Sequence, residues 1–356
     1  MFTIINHYEP SPDYRNIEDA ARNMSARRLP LYEHSISGEI MEAIIGTNPC
    51  LSWYSSDESE RDEAFRRFWH FWRTMGYDTA SIECTVCGAL IGGGALTAPD
   101  KGVIRTREDF EKYPWDEILE RYITMYTPLM DSCVRTVLPG MKAVGGVGNG
   151  PFEAVQDLVG YTNLCYLRND DPETYGAIFR RMSDLQYAIW EWFMGRYSNA
   201  YCVMRIGDDL GYKSGPLLTP SDIRAYIIPH YRRITDLVHS YDKPFLLHSC
   251  GAIFDVMDDL ICDGGIDAKH SNEDQVAPFT EWVNRYGNRI GNFGGIDMDV
   301  VCRADHDTIK CNVKYILDQV AGKGGIAFST GNSIPDYVPA GNYVTMVEAV
   351  RVWRGE

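Results

Sequence analysis

Eight short apolar runs alternate with longer amphipathic stretches along the 356 residues of the chain. A polar or glycine-bearing turn follows each run and precedes a stretch with helical spacing. Strands that are separated by helices pair in parallel, and closing such a sheet on itself leaves no unpaired edge. The pattern therefore predicts an α/β fold, a single (β/α)8 TIM barrel over residues 1–356 with N-terminal helical additions. The predicted strands are Arg28–Tyr32, Thr79–Ile82, Ala143–Val147, Tyr201–Ile206, Pro244–Leu247, Ile266–Ala268, Arg289–Phe293 and Gly325–Phe328.

The predicted helices carry apolar residues three and four positions apart. Between Ser59 and Met75 these residues are aromatic, which predicts a helix that packs this face on the barrel. The other predicted helices are Trp115–Val137, Pro172–Arg196, one that runs from Thr219 towards His239, and one that starts at Val338. No linker or fixed-period repeat interrupts this order, which favours a single domain.

Acidic residues outnumber basic ones by 50 to 34, and the formal net charge is −16. A nucleic-acid backbone would be repelled by that balance. No apolar run approaches the roughly 20 residues that span a bilayer, and the N-terminus lacks the basic start and apolar core of a secretory signal. Ten cysteines are scattered along the chain rather than grouped as a disulfide framework. We therefore expect a cytoplasmic protein without nucleic-acid or membrane partners; a homodimer is compatible with the sequence, which leaves the oligomeric state open.

Four segments of the second half resemble the uroporphyrinogen decarboxylase superfamily in their order and spacing. They are GDDLGYKSGPLLTP (207–220), KPFLLHSCGAIFDVMDDLI (243–261), GNFGGIDMDVV (291–301) and GGIAFSTGNSIPDYVPAGNYVTMVEA (324–349). The first half is similar more loosely, through RRLPLYEH, YDTASIE and GNGPFEAVQDLVG. The resemblance implies the same barrel that the alternation of runs predicts.

Two departures separate the chain from the decarboxylases of this superfamily, whose other branch consists of corrinoid-linked methyltransferases. The decarboxylases grip the propionates of their substrate with an N-terminal arginine motif, whereas no arginine lies here between Arg28 and Arg61. Their histidine in a GHG-type turn is replaced by Gly331, Asn332 and Ser333. Both departures remove cationic partners of a polycarboxylate, so the resemblance favours the methyltransferase branch.

The resemblance to the methyltransferases implies a zinc motif at His248 and Cys250. Residues two apart in a strand face the same side, so both side chains can reach one ion at the strand's C-terminal end. The methyltransferase pattern includes a later cysteine, and Asn332 stands about there. The third ligand must then come from elsewhere, with Glu83 the first choice and His270 the second. The alternative is that these are polar residues of a buried strand, with Glu83 a solvated carboxylate.

Further polar residues follow the predicted strands, at the rim where barrel chemistry takes place. Glu33 and His34 stand where related decarboxylases bind acid groups, and they either bind substrate or pair with each other. At most one of Asp208 and Asp209 should face the site, because adjacent residues point different ways. The predicted catalytic and metal-binding residues are His248, Cys250 and Glu83, and the predicted substrate-binding residues are Glu33, His34, Asp208, His270 and Asn332.

Three functions are compatible with these residues. The first is a zinc-dependent methyltransferase that moves a methyl group between a small methylated compound or thiol and a corrinoid protein, with Zn²⁺ on this chain and the cobalamin on a separate protein. The second is a metal-free decarboxylase or lyase that binds and protonates a small carboxylated substrate. The third is a non-catalytic barrel that binds a corrinoid or another ligand. A content of about one zinc per chain would favour the first.

Overall fold

The strands form one parallel sheet that curls into the predicted barrel. The structure, a computed structural model, describes residues 10–356. Its strands are β1 (Thr79–Thr85), β2 (Lys142–Gly148), β3 (Tyr201–Gly207), β4 (Gly211–Tyr212), β5 (Gly215–Pro216), β6 (Phe245–His248), β7 (Ala268–His270), β8 (Gly291–Ile296) and β9 (Ile326–Thr330). Seven of them pair in the order β1-β2-β3-β6-β7-β8-β9, in parallel throughout. Strands β4 and β5 form a small antiparallel hairpin.

The predicted first strand takes the eighth position of the barrel without forming a regular strand. Leu31 makes one parallel bridge to Phe328 of β9. On the β1 side, the Ser81 hydroxyl donates a hydrogen bond to the carbonyl of Glu33. Pro30 lies within this segment, and proline has no N–H to contribute to a ladder. A short extended segment, held partly by a side chain, therefore lies between the first and last strands.

The strands are connected by helices, which include the five predicted ones with boundaries that shift by a few residues. They are α1 (Arg15–Ala21), α2 (Gly38–Ile45), α3 (Glu58–Thr74), α4 (Val86–Ala89), α5 (Arg107–Lys112), α6 (Trp115–Arg135), α7 (Pro151–Val159), α8 (Tyr161–Asp170), α9 (Pro172–Tyr197), α10 (Pro220–Asp222), α11 (Ile228–Ser240), α12 (Met257–Cys262), α13 (Phe279–Tyr286), α14 (Met298–Arg303), α15 (His306–Val320) and α16 (Ala340–Arg354). A π-helical turn, Ile223–Ile227, joins α10 to α11. Within residues 10–356, the helices are too short or too polar to cross a bilayer.

The predicted aromatic helix is α3, and its aromatic face is buried as expected. Phe65, Phe68, Trp69 and Trp72 are each no more than 1% exposed. The Trp69 indole N–H donates to the carbonyl of Cys133 in α6, which satisfies the polar atom of this buried ring. Aromatic burial thus fixes α3 against α6 on the outside of the barrel.

Helix α1 covers the N-terminal end of the barrel. Its residues Ile17, Ala20 and Ala21 are fully buried and pack with the inward-facing residues of the strands. The carbonyl of Ala20 comes so close to Gly291 and Gly325 that a Cβ atom on either glycine would lie within 2.3 Å of that oxygen. Only glycine permits this approach, and α1 therefore seals the end opposite the strand C-termini.

Candidate active site

The parallel register brings the predicted metal-binding pair to the open rim of the barrel. His248 ends β6, opposite His270 at the end of β7 and Gly207 at the end of β3. The His248 Nε2 and Cys250 Sγ atoms lie 3.6 Å apart. Zn–S and Zn–N bonds of about 2.3 and 2.1 Å place two ligands of a tetrahedral zinc about 3.6 Å apart. The pair therefore has a separation that fits one zinc ion.

The buried hydrogen bonds of His270 fix the tautomer of His248. The two Nδ1 atoms are 2.7 Å apart, and His270 Nε2 lies 3.2 Å from the carbonyl of Thr330. A carbonyl only accepts, so His270 Nε2 carries hydrogen; burial lowers the pKa of His270 to about 3, which leaves its Nδ1 as an acceptor. His248 must then donate from Nδ1 and keep a lone pair on Nε2. His270, predicted to bind substrate and named as second choice of metal ligand, instead orients the imidazole of His248.

Asp209 and Asp208 take different positions, and the residue that faces the candidate metal site is Asp209. Its Oδ1 lies 3.7 Å from His248 Nε2 and accepts a hydrogen bond of 2.9 Å from the Cys250 backbone. Asp208 is fully buried; its carboxylate accepts from the Glu153 backbone at the start of α7 and from the Tyr231 hydroxyl. The prediction of Asp208 as a substrate contact is therefore corrected, because this carboxylate caps a helix.

Glu83 lies in the barrel interior and binds Arg205, apart from the Asp209, His248 and Cys250 group. The Arg205 Nη2 atom lies 2.8 Å from Glu83 Oε2. Arg205 is 1% exposed and also donates to the Tyr32 hydroxyl at 2.8 Å and to the His34 carbonyl at 3.0 Å. We therefore reassign Glu83 from metal ligand to ion-pair partner. The signal for Arg205 in the sequence is a single charged residue inside an otherwise apolar run, YCVMRIG.

Glu33 and His34 point to different neighbours and do not pair with each other. The buried Glu33 carboxyl accepts from the Thr330 backbone at 3.1 Å and from the Thr330 hydroxyl at 2.7 Å. The His34 ring stacks on His248 with a centroid distance of 3.8 Å, and its Nε2 lies 3.9 Å from Glu83 Oε1. His34, His248 and His270 also form a compact group of possible metal ligands. The 2.7 Å contact of His248 with His270 is shorter than the roughly 3.4 Å between two nitrogen ligands of a tetrahedral zinc.

Asn332 contacts the Cys250 sulfur as a hydrogen-bond donor. Its Nδ2 lies 3.3 Å from Cys250 Sγ, and the Ser271 hydroxyl lies 3.6 Å from the same sulfur. Burial, together with the negative charge of Asp209, raises the pKa of the Cys250 thiol to about 12. A bound cation would reverse this preference, and the two donors are placed to hold the resulting thiolate. Ser271 and Asp209 thus join the site beyond the residues predicted from the sequence.

A cavity of about 400 Å³ opens beside this sulfur. It lies among the C-terminal ends of β6, β7, β8 and β9, and both Cys250 and Asn332 line it. A volume of a few hundred Å³ suits a small molecule. The sulfur of the candidate metal site is therefore accessible to a small ligand from one side.

Replacing Glu33 with glutamine should weaken the pH dependence of stability. Burial raises the pKa of Glu33 from 4.5 to about 8. Between these values the folded chain holds more protons than the unfolded chain, so this group makes the free energy of unfolding fall as pH rises. Each pKa unit corresponds to about 1.4 kcal/mol, and we expect the Glu33→Gln variant to lose a decline of a few kcal/mol between pH 5 and 8.

Urea unfolding at pH 5, 6.5 and 8 measures this difference. The exposed Glu120→Gln variant is the matched control and should follow the wild type. The other buried groups are common to wild type and variant. The comparison is therefore between the slopes of the free energy of unfolding against pH for the two proteins. Parallel pH profiles for wild type and Glu33→Gln would contradict the burial of an uncharged Glu33.

Known proteins resemble the chain in sequence and in fold. It is 25% identical over 223 residues to a uroporphyrinogen decarboxylase of Syntrophotalea carbinolica, which covers 61% of this chain and 62% of that protein. It is 27% identical over 271 residues to a uroporphyrinogen decarboxylase of Geotalea uraniireducens, covering 69% and 70%. The chain thus spans less than two thirds of the first of these relatives.

Solved structures share the barrel at low sequence identity. A methyltransferase from Methanosarcina mazei superposes with a TM-score of 0.68 at 14% identity, covering 95% of this chain and 98% of that chain. A putative vitamin-B12-independent methionine synthase from Listeria monocytogenes gives a TM-score of 0.50 at 12% identity, covering 92% and 98%. The uroporphyrinogen decarboxylase (URO-D) family pattern matches residues 93–353, from the loop after α4 to the last helix. The chain therefore belongs to the uroporphyrinogen decarboxylase family.

Proposed function

We propose that the chain is a zinc-dependent methyltransferase that moves a methyl group between a small methylated compound or thiol and a corrinoid carried on a separate protein. The main support is the 3.6 Å separation of His248 Nε2 and Cys250 Sγ, with the Asp209 carboxylate beside them and a cavity opening onto the sulfur. These three residues would hold the ion, and the small molecule would complete its coordination from the cavity. The shared fold with a methyltransferase is consistent with this proposal.

The chain's own residues would prepare the site for a dication. Cys250 as a thiolate and Asp209 as a carboxylate supply two negative charges, while His248 binds as a neutral imidazole. Asn332 and Ser271 donate to the sulfur, and His270 keeps the lone pair of His248 on Nε2. A zinc ion bound there would supply Lewis acidity to the heteroatom that carries or receives the methyl group.

The methyl donor is the small molecule in the direction that we favour. The bond between its heteroatom and the methyl carbon breaks, and the heteroatom keeps the bonding electrons. A reduced corrinoid on the partner protein would supply the electron pair of the new bond to carbon, and a proton from water would neutralise a heteroatom that leaves as an anion. One thiolate with one carboxylate makes a harder site than two thiolates, which suits an oxygen or nitrogen leaving group better than a sulfur one.

Decarboxylation is the second candidate, because the two relatives described above are uroporphyrinogen decarboxylases. The barrel interior does contain a guanidinium group, that of Arg205. Glu83 already pairs with this group, and no arginine lies between Arg28 and Arg61 to bind propionates. An incoming polycarboxylate would therefore lose its hydration without gaining a free cationic partner.

Mixing the zinc-loaded protein with cob(I)alamin and small methylated compounds tests the proposal. Methylcobalamin, followed by its absorbance, should form faster than without protein. The Cys250→Ala variant should be slower by at least about 100-fold, since even residues that only orient metal ligands often contribute 10–100-fold. Equal rates for wild type and variant across ethers, amines and thioethers would contradict the proposal. Formation of coproporphyrinogen from uroporphyrinogen would favour decarboxylation instead.

A further inference from the structure

We infer that the small molecule bound beside Cys250 carries a positively charged group, such as an amine or a quaternary ammonium. This inference rests on the proposed function and specifies its substrate class. The cavity is defined independently of its charge, by its volume of about 400 Å³ and by the Cys250 sulfur in its wall. Its charge then decides which ligands can enter.

Carboxylates outnumber cations in the cavity wall. Glu273, Asp297 and Asp299 line it together with a single basic residue, Lys213. The Lys213 ammonium is already engaged, 3.5 Å from the Glu273 carboxylate and within hydrogen-bond distance of Gln275. It therefore offers little attraction to an anionic ligand. Three acidic residues against one basic residue leave the wall with a formal charge of about −2 at neutral pH.

Asp297 is the carboxylate best placed to attract a cation. Its two oxygens accept backbone N–H groups of Asp274 and Asp299, each at 2.7 Å. Across residues 10–356, no ion pair within 4.0 Å joins it to a basic side chain. Asp299 pairs with the exposed Arg303 at 3.5 Å. Backbone hydrogen bonds hold Asp297 in position without neutralising its charge.

The negative charge of Asp297 affects the pKa of the neighbouring Asp274. Burial and the charge of Asp297 raise the pKa of the Asp274 carboxyl. Ionisation of a second carboxyl group is disfavoured when no cation compensates the charge of the first. An anionic ligand in the cavity would meet the same repulsion, whereas a cation would relieve it.

An aromatic residue is also among those that line the cavity. Tyr337 lines the cavity, and its residue surface is 73% exposed. Ammonium groups bind aromatic faces with about 0.5–1 kcal/mol at exposed sites. The metal site would not alter this balance, because the Cys250 thiolate and the Asp209 carboxylate offset a zinc dication. A ligand with its methylated heteroatom at the sulfur could place a cation against Asp297 or Tyr337.

Calorimetry with choline and 3,3-dimethylbutan-1-ol on the zinc-loaded protein tests the inference. The two probes have the same shape, but only choline is charged. We expect choline to bind at least about 10-fold more tightly at low salt, with this preference decreasing as salt screens the cavity. The anion 3,3-dimethylbutanoate should bind most weakly.

The Asp297→Asn variant should bring the affinity for choline close to that for the neutral probe. Asparagine retains the oxygen that caps α14 and loses only the acceptor of the exposed Asp274 N–H, so the fold should persist. Asp305→Asn, which likewise replaces the capping carboxylate of α15 outside the cavity, is the matched control and should keep the preference for choline. Equal binding of both probes by wild type, tighter binding of the anion, or no binding of choline would overturn the inference. Zinc content and methylcobalamin formation, measured on the same preparation, report separately on the proposed function.

Discussion

Replacing both His248 and Cys250 with alanine should yield a folded protein that purifies without zinc. The wild type, loaded with zinc and freed of excess metal, should hold about one ion per chain. The physical reason is the pair's geometry: one nitrogen lone pair fixed by His270 and one sulfur, 3.6 Å apart at the barrel rim. Elemental analysis measures the metal, and circular dichroism checks the fold.

The matched control for the metal prediction is the His306→Ala and Cys311→Ala double variant. It removes the same two residue types from exposed positions on α15 and should retain the zinc. A wild type that binds no zinc under these conditions, or a His248 and Cys250 variant that still binds one ion, would contradict the prediction.

X-ray absorption on the zinc-loaded wild type should then show one sulfur ligand near 2.3 Å and two or three lighter ligands near 2.0–2.2 Å. Cys250 is the one cysteine in the group with His248 and Asp209, and Asn332 stands beside it as a donor. Two sulfur ligands would mean that another cysteine, such as Cys84 or Cys87, moves into the site.

Replacing Arg205 with methionine should destabilise the fold by about 3 kcal/mol or more. Loss of one partner of a buried ion pair leaves the other charge uncompensated, which typically costs about 3–5 kcal/mol. The Glu83 carboxylate would lose its ion pair, and the Tyr32 hydroxyl and His34 carbonyl would lose a donor. Urea unfolding at neutral pH measures the difference.

Two further variants separate the buried charge from the loss of packing. Adding Glu83→Gln to Arg205→Met should recover part of the lost free energy, because no isolated charge then remains. Arg196→Met breaks the exposed pair with Asp131 and should change the free energy of unfolding by less than about 1 kcal/mol. Similar losses for Arg205→Met and Arg196→Met would contradict the structural importance of the interior pair.

The apolar runs predicted the positions of the barrel strands because burial on both faces leaves a strong pattern in the sequence. The exception was the first run, where Pro30 limits the ladder to one bridge, and that effect depends on a partner almost 300 residues away. Local spacing was also sufficient to predict that the side chains of His248 and Cys250 lie side by side, since residues two apart in a strand face one side.

The site residues that could not be assigned from the sequence are those whose orientation and partners depend on residues distant in sequence. Whether Asp208 or Asp209 faces the site depends on α7, whose N-terminus binds Asp208. Glu83 was a reasonable candidate ligand until Arg205, 122 positions away, was placed beside it. Periodicity predicts on which face of an element a residue lies. It does not predict which oppositely charged side chain lies next to that face.

Closure of the barrel through the segment at Leu31 has a consequence for synthesis of the chain. The hydrogen bond between Glu33 and Thr330 joins residues 297 positions apart. At a translation rate of about 5–20 residues per second, the ribosome needs roughly 15–60 s to make the intervening chain. Throughout that time the growing sheet has an open seam that can pair with other nascent chains. A chaperone that binds the nascent chain would therefore protect the unpaired edge of the sheet until the last strand emerges from the ribosome.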